Sequence, residues 1–214
     1  MTGYRLQFFV MMRAMSKYRV VLFDVDGVLL LKPPRLFSHA YAEERGLDKR
    51  KFDDFFAKHA RDASRGKTDY KILIEANNDV WQWDRDIEEL FDKWFSYENH
   101  PVSELLELIK ELQQKGIKVF LATDQDKYRG KYLSEVLFKD IFDGAFISST
   151  LGYVKVDSEF FVKAIEELRK EIKGLKPKEI VFFDDSPENI SVAKKQGISA
   201  FLYKSPQHVE KILD

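Results

Sequence analysis

Two aspartates one residue apart, Asp24 and Asp26, close the apolar run Arg19-Val20-Val21-Leu22-Phe23, and Gly27 follows them. A β-branched and aromatic run reads as a buried strand. Burying two like charges at its end is costly unless something binds them. Two oxygen ligands in that position suit a hard cation such as Mg2+, and an ordinary Asp-Gly turn is the plainer reading of the same residues. Other apolar runs end in a similar way. The run 117–122 is followed by Thr123-Asp124-Gln125, and the run 179–183 by Asp184-Asp185-Ser186. Lys155 stands in Leu151-Gly152-Tyr153-Val154-Lys155, just ahead of a helical pattern. Singly, Thr123 and Ser186 read equally well as helix caps and Lys155 as a surface lysine. Asp184-Asp185-Ser186-Pro187 is also a good helix start. Together, on one edge of a parallel sheet, these carboxylates, hydroxyl and ammonium make a metal-assisted site for an anion.

The elements needed to bring them together are legible as two patterns. After the rigid break Lys32-Pro33-Pro34, residues 35–60 and 86–98 carry apolar groups three and four apart, such as Phe52, Phe55, Phe56 and Leu90, Trp94. That spacing predicts helices, with residues 64–68 as a loop and no strand from 35 to 100. From Pro101 the pattern alternates. Helices are predicted at 103–115, 128–138, 157–172 and 187–196, and strands at 117–122, 144–148, 179–183 and 198–203. The class is therefore α/β: a Rossmann-like open parallel sheet with helices on both faces, carrying a helical insertion after its first strand. The expected organisation is an extension over residues 1–16, a core from 17–31 and 101–214, and an insertion over 32–100.

The 214 residues are 44% hydrophobic and 33% charged, as in a globular protein. Lys and Arg number 35 against 36 for Asp and Glu, so net charge gives no push toward nucleic acid or an acidic membrane. The chain has no cysteine, which excludes disulfides, thiolate metal sites and cysteine nucleophiles and is compatible with the expected cytoplasmic location. The apolar stretch Leu6-Gln7-Phe8-Phe9-Val10-Met11-Met12 is too short to span a bilayer. No secretory signal is expected there, and Met11, Met12 and Met15 are alternative starts.

Across nearly all of residues 17–205 the chain resembles the haloacid dehalogenase-like superfamily of aspartate-nucleophile phosphohydrolases. Asp24-Val25-Asp26-Gly27-Val28 matches its first motif, Thr123 the second, Lys155 the third, and Asp184-Asp185-Ser186-Pro187-Glu188-Asn189 the fourth. The insertion looks like the type-1 cap of the phosphoglycolate-phosphatase-like subfamily. Phe182-Phe183-Asp184-Asp185-Ser186 followed by Asn189-Ile190 is most similar to the glucose-1-phosphate phosphatase and epoxide-hydrolase N-domain branch.

The resemblance implies that Asp24 attacks phosphorus and forms an aspartyl-phosphate. It implies Mg2+ held by Asp24, Asp185 and the Asp26 carbonyl, with Asp184 as an outer or alternative ligand. Thr123 and Lys155 would bind the phosphoryl group, and the Asp26 side chain would carry the proton to and from the leaving oxygen. Dehalogenation needs no such acid, so Asp26 favours phosphoryl transfer. Two residues depart from the family pattern. Asp124 stands where a neutral group is common, and is expected to point away or to pair with Lys127 or Arg129. Val156 replaces a proline after Lys155 and is expected to loosen that loop. In the insertion, Arg65 and Lys67 are expected to bind a second anionic group, although a solvated loop explains them equally well; Arg35 and His39 are weaker candidates. The function expected is hydrolysis of a small phosphorylated metabolite such as a sugar phosphate. A phosphomutase and a non-catalytic binding protein on the same fold are the alternatives.

Overall fold

In a computed structural model the chain is described over residues 17–213. The extension expected over 1–16 lies outside the described residues. Strand β1 (Val20–Phe23) is the centre of the molecule, and none of its side chains reaches solvent. Its residues alternate between two apolar layers. Val21 and Phe23 face one layer with Leu105, Ile109, Val119 and Leu121, while Val20 and Leu22 face another with Phe120, Phe160, Phe161 and Phe182. A strand buried on both faces reads as a continuous apolar run, which is why this one was visible in the sequence.

After β1 the chain leaves the sheet and forms α1 (Phe37–Glu44), α2 (Lys49–Ser64), α3 (Tyr70–Ala76), α4 (Asn78–Trp81) and α5 (Ile87–Tyr97). These pack on a core of their own, built from Phe37, Tyr41, Phe52, Phe55, Trp81 and Phe91 among others. The helical region over 35–60 divides into α1 and α2, because Gly46 takes φ +67° and turns the chain between them. Asp48, Asp69 and Asp86 cap α2, α3 and α5, each accepting from a backbone N–H two residues on.

The chain re-enters the core as α6 (Ser103–Gln114) and continues through β2 (Lys118–Thr123), α7 (Lys127–Tyr132), β3 (Gly144–Ile147), α8 (Ser148–Leu151) and α9 (Ser158–Glu171). It closes with β4 (Ile180–Asp184), α10 (Pro187–Lys195), β5 (Ser199–Leu202) and α11 (Pro206–Leu213). The five strands pair in parallel, in the spatial order β3-β2-β1-β4-β5. The helix read over 128–138 is α7 followed by a π-helical turn, Leu133–Leu137. The short helices α3, α4, α8 and α11 were not anticipated. α11 nonetheless buries Val209 against the layer that holds α6.

Strand order reverses beside β1: the sheet runs outward through β2 and β3 on one side and through β4 and β5 on the other. In open parallel sheets such a reversal opens a crevice beyond the carboxyl ends of the strands.

Candidate active site

The crevice gathers residues from each of the strand ends singled out in the sequence. The Asp24 backbone N–H donates to the Phe183 carbonyl at 2.9 Å, which sets Asp24 beside Asp184 at the tip of β4. Beyond Asp24 the chain folds back tightly, with Gly27 donating to the Leu30 carbonyl and Leu30 to the Val25 carbonyl. Gly27 takes φ +88°, and a Cβ there would collide with the Asp185 carboxylate and the Lys32 side chain. Glycine is needed at this turn for both reasons.

Lys155, 2% exposed, lies between two carboxylates: its Nζ is 2.5 Å from Asp24 Oδ1 and 2.7 Å from Asp184 Oδ2. Burial pushes the Asp24 carboxyl up to about 7; Lys155 opposes that rise and Asp184 adds to it. Burial works against the Lys155 ammonium as well, but Asp24, Asp184 and Asp124 outweigh it and hold its pKa above the ordinary lysine value. Asp184 is wholly buried, and both of its oxygens are engaged. Oδ1 accepts from the Ser186 backbone at 2.7 Å, and Asn189 Nδ2 reaches both oxygens at 3.1 Å. Ser186 is the N-cap of α10, accepting from the Asn189 backbone, so the helix-start reading of this segment holds alongside the site.

One carboxylate oxygen from each of Asp24, Asp184 and Asp185 lies within 4.8 Å of the others. These are hard oxygen donors with no thiolate or imidazole among them, the donor chemistry that Mg2+ takes. A divalent cation here would also offset the Asp184 charge that adds to the rise of Asp24. The residues fit the ion. Lys32, on the segment leading into the helices, forms an ion pair with Asp185.

Asp26 is held differently from Asp24. Its Oδ2 accepts from Gln125 Nε2 at 2.6 Å and its Oδ1 from Arg129 Nη2 at 3.0 Å, while its side chain stays 47% exposed. Gln125 also donates to Thr123 Oγ1 at 3.2 Å, and Thr123 is buried at the end of β2. In the sequence Gln125 stands only as the neighbour of Thr123-Asp124, and Arg129 only as a partner for Asp124. A signal for Gln125 was present, since it directly follows Thr123-Asp124 at a strand end.

Of the two arrangements expected for Asp124, pairing with Lys127 or Arg129 does not occur. Its Oδ1 accepts from the Lys155 backbone N–H at 2.9 Å, so it anchors the loop that carries Lys155. Burial raises the Asp124 carboxyl above its usual value, with Lys155 opposing. Lys127 instead pairs with Asp69 at 2.7 Å, and Arg129 with Asp26 and Glu98. Around Val156 the same loop is tied by two hydrogen bonds. The Asp157 backbone donates to the Val154 carbonyl at 2.8 Å and Asp157 Oδ2 accepts from the Val154 N–H at 3.3 Å.

The candidates in the helical insertion are placed apart from these carboxylates. Arg65 is not a free cation: it forms a forked pair with Asp157, at 2.7 and 3.0 Å, joining the end of α2 to the core. Lys67 lines a cavity of about 680 Å³ together with Arg65, Tyr153, Asp157 and Lys163. Arg35 pairs with Glu43, and His39 with Asp53 at 2.6 Å, both within the insertion. No described helix is long and apolar enough to cross a membrane.

Fold and crevice define a class: a doubly wound α/β protein with a carboxylate–lysine site at the carboxyl edge of its sheet. The chain belongs to the haloacid dehalogenase-like hydrolases, whose family model matches residues 18–197. Enolase-phosphatase E1 of Aquifex aeolicus (strain VF5) is 33% identical over 96 residues, which cover 43% of this chain and 40% of that protein. The match thus spans less than half of the relative's length. Among solved structures, a HAD family enzyme from Bacteroides thetaiotaomicron superposes with a TM-score of 0.74 at 20% identity, over 92% of this chain and 98% of that one. The wild-type form of that enzyme in complex with magnesium and inorganic phosphate gives 0.72 at 21% identity, over 87% and 94%. A HAD phosphatase from Thermococcus onnurineus gives 0.63 at 21% identity, over 91% and 97%. At these identities the structural likeness concerns the fold.

Proposed function

We propose that this hydrolase is an Mg2+-dependent phosphatase that cleaves a small phosphorylated metabolite, such as a sugar phosphate, through an aspartyl-phosphate. The observation that carries the reading is the different treatment of two neighbouring aspartates. Asp24 is buried against Lys155, whereas Asp26 is turned to Gln125 and Arg129 and left half open. A nucleophile needs the first environment, a group that exchanges protons with substrate and water the second.

Asp24 attacks phosphorus in line with the leaving oxygen. Lys155 offsets negative charge on the nucleophile and the phosphoryl group, and Thr123 donates a hydrogen bond to a phosphoryl oxygen. Asp26 delivers a proton to the leaving oxygen, then takes one from the water that cleaves the aspartyl-phosphate. Asp24, Asp185 and the Asp26 carbonyl would hold Mg2+, which when bound supplies positive charge against the repulsion between carboxylate and phosphate. Asp184 keeps Lys155 in place from behind. The five helices between β1 and α6 act as the cap that closes over the substrate. Lys67 and Lys163, which line the cavity between cap and core together with Asp157 and Glu159, would meet a second anionic group of the substrate.

The magnesium and phosphate bound to the Bacteroides enzyme, and the phosphatase activity named for the Aquifex relative, agree with this reading. The test is a panel of phosphate monoesters with Mg2+, run on the wild type and on Asp24→Asn. Phosphate release by the wild type, lost about a thousandfold or more in the variant, is the expected result. Activity that survives the substitution would sink the mechanism. Interconversion of two sugar phosphates without phosphate release would assign a mutase instead.

A further inference from the structure

Arg129 is 4% exposed and stands on α7 between two carboxylates that belong to different parts of the molecule. Its Nη2 donates to Asp26 Oδ1 at 3.0 Å; its Nη1 is 3.2 Å from Glu98 Oε2, an ion pair less well aligned than a hydrogen bond. Glu98 is the residue that ends α5, where the chain leaves the helical insertion for the core. Its other oxygen accepts from Trp94 Nε1 at 2.9 Å, so it moves with the insertion. The Phe95 ring lies beneath the guanidinium, 5.8 Å from Cζ. Beside this joint, Asn99 donates to the Tyr132 hydroxyl at 3.3 Å.

We propose that Arg129 is a positioning residue: it orients the Asp26 carboxylate and, through Glu98, makes that orientation depend on how the insertion is seated. This rests on the phosphatase reading, in which Asp26 moves the proton. The guanidinium fork is planar and rigid, so fixing one nitrogen on Glu98 fixes the direction of the other. Gln125 takes the second Asp26 oxygen at 2.6 Å, which leaves the carboxylate little freedom to rotate while both donors are in place. Glu98 also balances the charge of Arg129, so the guanidinium aims Asp26 without leaving unmatched positive charge beside it. A displacement of the insertion that carries Glu98 away withdraws one arm of the fork and lets Asp26 turn. Proton transfer is sensitive to misplacement of this kind.

The test compares kcat/KM for two probe esters, 4-nitrophenyl phosphate and phenyl phosphate, with Mg2+ present. The nitrophenolate leaves with little help from an acid, whereas phenolate needs the proton. Arg129→Lys keeps the charge and loses the fork; it should lose about tenfold more on phenyl phosphate than on 4-nitrophenyl phosphate. Glu98→Gln, with Arg129 intact, should shift the ratio in the same direction by a smaller factor. In an Asp26→Asn background, Arg129→Lys should move the ratio by less than about twofold, since the group it acts through is gone. Equal losses on both esters, or a full further loss in the Asp26→Asn background, would overturn the proposal and leave Arg129 as packing. Thermal denaturation of each variant identifies any that fail to fold, and Glu98→Gln then decides the matter. A wild type that turns over neither ester brings down the phosphatase reading and this role with it. Wild-type turnover with parallel losses overturns the role of Arg129 alone.

Discussion

Lys155 is the residue on which the charge balance of the crevice turns. It is buried, it touches Asp24 and Asp184 directly, and Asp124 holds its backbone. Removing one partner from a buried ion pair leaves the other charge uncompensated, at a cost of about 3 to 5 kcal/mol. Lys155→Met should lower unfolding free energy by an amount in that range, measured by denaturant titration, and abolish turnover. Adding Asp184→Asn should restore part of the stability but none of the activity, because it removes one of the stranded carboxylates without replacing the cation. An unchanged denaturation midpoint in Lys155→Met would show that the pairing does not hold the crevice. Asp24, Asp26, Thr123 and Asp185 stand out in the sequence because they follow or end apolar strand runs, and Lys155 because it precedes a helix; each has an ordinary reading alone, and only their joint pattern singles them out. Gln125 and Arg129 were not legible as Asp26 partners. They lie 99 and 103 residues from it in the chain, and only the folded sheet brings them there.

The element that most constrains the crevice is the tight turn after β1. Gly27 meets two demands at once, a left-handed backbone and an approach too close for a Cβ. Gly27→Ala should cost about 1 to 2 kcal/mol from the backbone alone, and it should also push Asp185 and Lys32 aside. The second effect is the informative one. Mg2+ affinity, measured by calorimetry, should fall more than stability does, whereas Gly116→Ala, also at positive φ but with open space around it, should lower stability alone. Equal Mg2+ affinity in wild type and Gly27→Ala would mean that Asp185 does not hold the ion. Beyond Pro101 the helices and strands were readable in order, since each strand is apolar and each long helix amphipathic. The insertion was read more coarsely. Its aromatic core permits many helix breaks: the one at Gly46 is local, a glycine at φ +67°, whereas α3 and α4 pack around Trp81 without a periodicity of their own.

At the scale of the whole molecule, the insertion is pinned to the core by charged clasps as well as by aromatic packing such as Phe95 on Tyr132. Asp69, capping α3, accepts from Lys127 Nζ at 2.7 Å and from the Tyr128 hydroxyl at 2.8 Å. Asp157, ahead of α9, accepts the fork of Arg65. Burial works against both carboxylates, but the hydrogen bonds from Lys127 and Tyr128 hold Asp69, and that from Arg65 holds Asp157, below the ordinary aspartate value of 3.8. A carboxylate whose pKa is depressed by its partners contributes fully above the ordinary value, and the contribution is lost as pH falls through the depressed one. Both clasps should therefore be intact at neutral pH and release together in acid, below 3.8. Small-angle scattering should then show the radius of gyration rising in that range while far-ultraviolet circular dichroism still reports the helices of each part. The double variant Asp69→Asn/Asp157→Asn should show the expansion already at neutral pH and no further step in acid from these groups. Scattering and dichroism that change together, with identical acid profiles in wild type and variant, would show that packing alone seats the insertion. Burial raises the Glu98 carboxyl above its ordinary 4.5, with Arg129 opposing, so Glu98 should protonate at a higher pH than the clasps, and loss of the leaving-group selectivity should begin before the acid expansion as pH falls.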